Sequence, residues 1–513
     1  MQLIAGLRCC AGTNIGPVPA VRQAAQFRRR RGHTLPTEPA RVIPFRRLAA
    51  ALLAATTLVG SAEAETIRVA VGTQDTTINC ATGGLLIREL KLLEKFLPRD
   101  GKYKDATYDI QWRNFTSGAP LTNEMVAGKL DFGAMADFPG SLNGAAFAKA
   151  GRKSLFLSVL SGSVRGSGNG IVVPTASPVQ SFADLKGKTI SVPFASTAHG
   201  LLLRAVKAQG WDPERDVTII TQAPEVAGSA LKANKIEAHA DFVPFAELFP
   251  WRGIARKIYD GSQSDAPTFH GSLVDAAYAE RYPEIVTAYL RAAIEADRLF
   301  AAEPEKYSEL VERVTGIEAE VAYLFHGPLG LQTRDITWKP EYRQALKTSI
   351  ETLTLLKKAD GDLDVDRFVD DRFVRAAAAQ AGLDYAARLG DYAQNPLRNA
   401  DAATGKPITD VSRVAEIWVK GEDKVRPYAS PEAALAALAA LEKAGGTARV
   451  VYAQDRNSGI KLFAAQAWYV QDRERRLSAF LLKGDAETFA KAHGGEVIDF
   501  AAARAGEARL SAR

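Results

Sequence analysis

Two pairs of small polar residues stand where predicted helices follow predicted strands, Ser117-Gly118 and Ser196-Thr197. At such a helix start, backbone N–H groups and hydroxyls face outward beside the positive end of the helix dipole, which suits a bound anion. Serine and threonine also cap helices without any ligand, so each pair alone is open to that simpler interpretation. Two such pairs on facing halves of one fold favour an anion-binding site.

Further candidate side chains follow other predicted strands. Gln74 and Cys80 come after the first strand, where Cys80 is either a small buried residue or a ligand contact or metal thiolate. Asp137 follows the third strand and Asp241 follows a later one, so either could bond an ammonium or hydroxyl of a ligand, or hold a hinge. An acid in the site would favour a zwitterion such as an aminosulfonate over plain nitrate.

The hydrophobic pattern from Glu65 to about Gln380 predicts two units of alternating strands and helices. The first unit has predicted strands at Thr66–Val71, Tyr108–Trp112 and Leu130–Ala134, with a helix running through Phe96. The second unit has predicted strands at Gly170–Val173, Thr189–Val192, Val217–Ile220 and Ala238–Phe242. Such alternation builds a mostly parallel sheet covered by helices.

Two polar, glycine-rich segments connect these units. Ser161–Gly170 leads from the first unit to the second, and Gly261–Gly271 returns to the first. We therefore predict an α/β fold of two lobes joined by a hinge. Lobe I covers about 65–160 and 271–380, and lobe II covers about 170–260. Ligands of such sheets bind beyond the carboxyl ends of the strands, and closure about the hinge encloses a small molecule.

Five motifs within 65–380 occur in a specific order and spacing: Phe115–Ala134, Ala136–Pro139, Asp184–Lys188, Ser196–Arg204 and Gly210–Val217. Together they resemble the periplasmic substrate-binding proteins of transporters for nitrate, alkanesulfonates and taurine. The resemblance implies the type II periplasmic-binding-protein fold and a small anionic or zwitterionic solute of that class in the cleft. It also implies an ABC permease at the inner membrane as partner, a monomer, and neither catalytic residues nor a cofactor or metal.

The same resemblance bears on two side chains. In the nitrate-binding relatives a histidine directly follows a similar Ser-Thr pair, whereas Ala198 separates His199 from Thr197 here. His199 therefore either contacts the ligand or forms hydrogen bonds within the first turn of its helix. Asp137 matches an acidic position of the family's motif.

Residues 381–420 are rich in loop-forming residues and are expected to be a linker, followed by a small α+β C-terminal module at 421–500 and a tail at 501–513. The module has matching stretches at Tyr452–Asp455, Ala465–Val470 and Asp485–Val497. They resemble the NosL-like copper-binding accessory proteins of nitrous oxide reductase. Cu(I) prefers sulfur ligands, and this module has neither cysteine nor methionine, so the fold is expected without the copper site. His493, before Gly494-Gly495, is expected to end a helix.

Residues 1–64 are predicted to be an export signal. Arg46-Arg47 precedes the apolar run Leu48–Val59, which is too short to span a bilayer, and a small-x-small motif ending at Ala64 follows. We expect cleavage after Ala64 and a periplasmic protein. The length before Val42 is unusual for a signal peptide and would be explained by a start codon assigned too far upstream.

The charge distribution argues against a nucleic-acid partner. The whole chain carries +6, but residues 1–64 hold nine arginines and two acids, and the remainder holds 56 basic and 57 acidic residues. Since the excess basic charge belongs to the leader, no nucleic-acid partner is expected. Cys9 and Cys10 leave with the leader, which makes Cys80 the one cysteine of the exported chain.

The sequence is compatible with three function classes. The favoured hypothesis is a solute-binding protein, since the chain contains no Gly-x-Ser-x-Gly, Walker, His-Glu-x-x-His or Cys-x-x-Cys motif. One alternative is a periplasmic metal-delivery or sensory protein that uses the C-terminal module. An enzyme alternative is the pyrimidine-precursor synthase of thiamine biosynthesis, which shares the fold but is cytosolic and cysteine-rich near its active site.

Overall fold

The computed structural model describes residues 65–355, 363–393, 395–397 and 399–511, so the predicted leader lies outside the described residues. Ten strands cross residues 66–275. They are β1 (Thr66–Thr73), β2 (Thr107–Asn114), β3 (Phe132–Ala136), β4 (Ser154–Ser163), β5 (Gly170–Pro174), β6 (Thr189–Val192), β7 (Thr218–Thr221), β8 (Ala238–Asp241), β9 (Ala255–Asp260) and β10 (Thr268–Asp275).

These strands form two five-stranded sheets of the same design. Lobe I has the order β2-β1-β3-β10-β4, and lobe II has the order β7-β6-β8-β5-β9. In lobe I, β1 is parallel to β2 and β3, and β10 is antiparallel to β3 and β4. In lobe II, β6 is parallel to β7 and β8, and β5 is antiparallel to β8 and β9. The predicted two-lobe α/β architecture is confirmed.

Helices cover both sheets. They are α1 (Leu85–Glu89), α2 (Leu92–Phe96), α3 (Gly118–Val126), α4 (Asp137–Lys149), α5 (Thr197–Ala208), α6 (Pro224–Lys232), α7 (Phe245–Trp251), α8 (Ala276–Arg281), α9 (Pro283–Ala302), α10 (Pro304–Thr315), α11 (Ala319–His326), α12 (Pro340–Leu355), α13 (Val365–Phe368), α14 (Arg372–Gln380) and α15 (Tyr385–Leu389). The helix predicted to run through Phe96 is two short helices, because the backbone breaks at Lys91, which has φ +51°. Over the ranges given above, no helix is long and apolar enough to cross a membrane.

The two connections between the lobes run side by side at the hinge. The N–H of Gly261 in the second connection donates to the carbonyl oxygen of Asn169 in the first, at 2.9 Å. A Cβ on Gly261 would overlap the carbonyl oxygen of Gly166, which itself has φ +87°. Glycine at these two positions is what allows the connections to pass so closely.

Beyond the lobes, the described residues form two small sheets and three more α-helices. The strands are β11 (Ala415–Val419), β12 (Arg426–Tyr428), β13 (Ala448–Gln454), β14 (Lys461–Phe463), β15 (Trp468–Gln471), β16 (Leu477–Phe480) and β17 (Glu496–Asp499), and the helices are α16 (Pro431–Lys443), α17 (Lys483–His493) and α18 (Phe500–Ser511). The sheet orders are β12-β11-β13-β14 and β16-β15-β17. The segment expected to be a linker contains α15 and all of β11, and the expected tail contains most of α18. His493 ends α17, as predicted, before Gly494 at φ +82°.

The C-terminal module packs on α11 through a buried polar cluster. Tyr323 of α11 donates its hydroxyl hydrogen to Glu416 at 3.0 Å, and the same carboxylate pairs with the buried ammonium of Lys461. The module also reaches lobe II, where Phe463 stacks on Trp251 with ring centroids 4.7 Å apart. The module is therefore in contact with lobe II and with the helices that follow the hinge.

Candidate functional site

A cavity of about 20 Å³ lies between the lobes, at the starts of α3 and α5. Its walls come from the segments that follow β1, β2, β3, β6 and β8, so the carboxyl ends of both sheets meet there, as ligand sites of this architecture require. Five of the residues singled out from the sequence line it: Gln74, Ser117, Gly118, Ser196 and Thr197. The structure thus brings both predicted helix starts to one place, from opposite lobes.

On the lobe I side, the start of α3 is free of a side-chain cap. Ser117 occupies the N-cap position with extended backbone, and its hydroxyl makes no capping hydrogen bond. Gly118 packs against Pro139 of α4 so closely that a Cβ would lie 3.1 Å from Pro139 Cγ and closer still to Pro139 Cβ. Gln74 is oriented by its side-chain amide, which donates to the carbonyl oxygen of Ala134 at 2.9 Å.

On the lobe II side, Ser196 caps α5. Its Oγ accepts from the N–H of His199 at 3.3 Å and donates to the carbonyl oxygen of Pro193 at 2.6 Å. The simpler capping interpretation therefore holds for the Ser196 hydroxyl but not for Ser117. Thr197 is the first residue of α5 and still lines the cavity.

Four other candidates do not line this cavity, and Asp137 is one of them. Its carboxylate accepts from the hydroxyls of Thr268 and Ser349, each at 2.9 Å, within lobe I. Burial raises the pKa of Asp137, and these hydrogen bonds oppose the rise. Asp137 thus ties α4 to β10 and α12 within lobe I.

Asp241 and Cys80 are buried away from the cavity as well. The Asp241 carboxylate bonds His239 Nε2 at 2.8 Å and accepts from the N–H of Phe242 at 2.8 Å. The other ring nitrogen of His239 bonds the hydroxyl of Ser191 at 2.7 Å, and all three side chains are buried. Cys80 is a free, buried thiol, and burial raises its pKa above the usual range, which disfavours a reactive thiolate.

His199 supports a neighbour rather than facing the cavity. Its Nδ1 accepts from the N–H of Ala195 at 3.3 Å, and its ring stacks on Phe194 with centroids 4.7 Å apart and planes 3° apart. The local hydrogen-bonding alternative from the sequence describes this placement.

Sequence reasoning missed eight of the lining residues: Thr77, Ala119, Ala136, Pro139, Phe194, Ala195, Phe242 and His270. Thr77 is informative because its Oγ1 is buried without a hydrogen-bond partner among the described residues. A hydroxyl in that position is a donor available to a ligand. Thr77, like Gln74, lies just after β1, and this position in the sequence could have identified it as a candidate.

His270 comes to the cavity from β10, the strand that returns to lobe I. Its Nδ1 bonds the side-chain amide of Asn79 at 3.1 Å, and that amide also donates to Gln332. Gln332 in turn donates to the carbonyl oxygen of Ser167 in the hinge at 2.9 Å. Nothing local in the sequence identifies this network, since Asn79 and Gln332 are 253 positions apart.

The cavity is lined by uncharged side chains. Burial lowers the pKa of His270 to about 3, so this ring is uncharged at neutral pH. No carboxylate, ammonium or guanidinium is among the described residues that line the cavity. An anion there would be held by N–H and hydroxyl donors at two helix starts. Over the described ranges, no group of three or more His, Cys, Asp or Glu side chains has a metal-binding arrangement.

Comparison with known proteins finds relatives over the two lobes. Residues 98–315 match the model of the NMT1-like family. The chain is 28% identical to a putative aliphatic sulfonates-binding protein of Escherichia coli over 283 residues, which are 54% of this chain and 82% of the relative. It is also 28% identical to the taurine-binding periplasmic protein of Escherichia coli over 291 residues, 53% of this chain and 86% of that protein.

A solved structure shows the same fold. The alkanesulfonate-binding protein SsuA from Xanthomonas axonopodis pv. citri, bound to MOPS, superposes with a TM-score of 0.50 at 23% identity, covering 60% of this chain and 99% of that one. The described lobes therefore form the two-lobe, type II fold of periplasmic binding proteins, and residues 98–315 carry the NMT1-like pattern.

Proposed function

We propose that this protein is the periplasmic solute-binding component of an ABC transporter and that it captures a sulfonate-bearing anion between its lobes. The observation that carries the proposal is the meeting of the α3 and α5 starts at one uncharged cavity. Helix starts with N–H and hydroxyl donors bind tetrahedral oxyanions well. The relatives named as sulfonate- and taurine-binding proteins support this solute class.

Within that class, the site favours a sulfonate that carries no ammonium group. The sequence left Asp137 and Asp241 open to bonding an ammonium or hydroxyl of the ligand or to holding the hinge, but both carboxylates are engaged elsewhere and neither lines the cavity. A buried ammonium without a carboxylate partner is costly. The apolar walls, which include Phe194 and Phe242, also favour an organic sulfonate over nitrate.

Binding requires the lobes to separate. A cavity of about 20 Å³ has room for roughly one water molecule, so a sulfonate can enter only when the helix starts move apart. The paired connections at Gly166 and Gly261 supply the hinge for this motion. Closure then brings donors from both lobes onto the anion without any catalytic step.

Isothermal titration of the purified protein with ethanesulfonate, taurine and nitrate tests the proposal. Ethanesulfonate and taurine share a sulfonate headgroup and differ by an ammonium group. The difference in their affinities therefore reports whether a carboxylate of the protein contacts that ammonium. We expect ethanesulfonate to bind more tightly than taurine and nitrate. Tighter binding of taurine would refute the preference for a sulfonate without an ammonium group, and no affinity for any sulfonate would refute the solute class.

The proposal extends to the parts of the chain outside the lobes. Residues 1–64 act as an export signal, so the exported protein is expected to begin at Glu65 and to work as a monomer beside an inner-membrane permease. The C-terminal module keeps a NosL-like fold without copper ligands, since it has no cysteine or methionine. Stoichiometric copper or zinc in purified protein would instead favour the metal-delivery alternative.

A further inference from the structure

Phe194 is an exposed aromatic ring at the edge of the interlobe cavity. Its side chain is 49% exposed, although large apolar side chains are normally buried. The other exposed large apolar residues of the described chain are Val226, Val314, Tyr392 and Val411. Of these five, Phe194 alone lines the cavity.

The ring is held in place before any ligand arrives. One face stacks on His199, with planes 3° apart and centroids 4.7 Å apart. Ala195 follows it with φ +60°, a conformation that non-glycine residues adopt only when the surroundings impose it. The Ala195 N–H bonds His199 Nδ1 at 3.3 Å, so the same histidine fixes both the ring and the turn. The side chain nevertheless remains about half exposed at the edge of the cavity.

The small size of the cavity indicates that part of the solute lies near the exposed Phe194 ring. About 20 Å³ at the helix starts holds roughly one water molecule, so this space does not enclose an organic tail beside a sulfonate headgroup. The organic part of the solute must therefore extend toward the edge of the cavity. There the exposed Phe194 ring offers an apolar, flat surface, and aromatic rings prefer offset stacking on such a surface.

We propose that Phe194 determines specificity by stacking on the aromatic tail of an aryl sulfonate whose headgroup lies at the starts of α3 and α5. This inference rests on the proposed function, because it assumes that the headgroup is a sulfonate. His199 acts as a positioning residue that holds the Phe194 ring, and it does not contact the solute.

Titration of the full protein with methanesulfonate and benzenesulfonate tests the inference, in the wild type and in Phe194→Ala. The affinity for methanesulfonate measures binding of the headgroup alone. Benzenesulfonate has the same headgroup and an aromatic ring in place of the methyl group. We expect the wild type to prefer benzenesulfonate. We expect Phe194→Ala to lose about tenfold in benzenesulfonate affinity, since an aromatic pair of this kind contributes of this order, and to keep its methanesulfonate affinity. Val226→Ala is the matched control, because Val226 is 57% exposed on lobe II but does not line the cavity.

The outcomes separate the two proposals. If neither sulfonate binds the wild type, the proposed function fails and this inference fails with it. If methanesulfonate binds but benzenesulfonate binds no more tightly, or Phe194→Ala weakens both ligands equally, the headgroup site stands and the role of Phe194 is refuted. Retained methanesulfonate binding by Phe194→Ala also shows that the variant is folded.

Discussion

Gly200 lies where the two lobes touch beside the cavity, and its replacement by alanine is the sharpest perturbation of lobe closure. Helix α5 of lobe II contacts helix α4 of lobe I at this point. A Cβ on Gly200 would lie 3.2 Å from Cδ2 of Phe138 and 3.3 Å from Nη1 of Arg204. The Arg204 side chain can move, but Phe138 is only 1% exposed, so its ring has little room to retreat.

The size of the effect follows from these distances. Carbon atoms pack at about 3.5–4.0 Å, so the methyl group holds the lobes apart by about 0.3–0.8 Å when they close. Hydrogen bonds from the start of α5 to the solute lengthen by a similar amount. Each hydrogen bond contributes about 0.5–1.5 kcal/mol, and weakening two of them costs about 1–2 kcal/mol, or roughly five- to thirtyfold in affinity.

Isothermal titration with ethanesulfonate measures this loss, and thermal unfolding without ligand provides the comparison. Because alanine is a better helix former than glycine, the ligand-free Gly200→Ala protein is expected to melt no lower than the wild type. Gly484→Ala in α17 is the matched control, since a Cβ there would meet nothing within 4 Å. Unchanged ethanesulfonate affinity in Gly200→Ala would refute closure of α5 against α4 as a determinant of binding.

Three further predictions concern the helix start, the buried histidine and the module. Gly118→Ala is expected to weaken ethanesulfonate binding about tenfold by pushing α3 away from Pro139, and wild-type affinity in titration would contradict this. Because burial lowers the pKa of His270 to about 3 from 6.5, the unfolded chain binds more protons between these values, so stability falls as the pH drops from 6.5 toward 3. Melting temperatures of His270→Gln should show a shallower decline with acidification than those of the wild type, and an identical decline would contradict the assignment. Lys461→Met leaves the buried Glu416 carboxylate without its cation and should cost about 3–5 kcal/mol in chemical unfolding, with partial recovery in Lys461→Met/Glu416→Gln. Equal stability of the single and double variants would argue against the buried pair.

The lobed architecture was predictable because its signals are local. Strand and helix runs alternate along the chain, and glycine-rich segments mark the two connections near Gly166 and Gly261. The two helix starts that meet at the cavity were predictable for the same reason, since each follows a strand. Strand boundaries were less accurate: the strand predicted at Leu130–Ala134 lies at Phe132–Ala136.

The rest of the site depends on contacts between distant parts of the chain. Asp137 follows a strand, as a ligand-contacting acid would, but partners 131 and 212 positions away take up its carboxylate. For His199 the sequence left ligand contact and local hydrogen bonding open, and its ring stacks on Phe194. His270 reaches the cavity only because β10 inserts between β3 and β4, a topology that no local pattern reveals.

A crystal structure of the protein with ethanesulfonate tests the central claim most directly. The account predicts sulfonate oxygens within hydrogen-bonding distance of N–H groups or hydroxyls at the starts of both α3, near Ser117, and α5, near Thr197. It also predicts that no carboxylate contacts the ligand. A sulfonate bound outside the interlobe cavity, or held by donors from one lobe alone, would contradict the account.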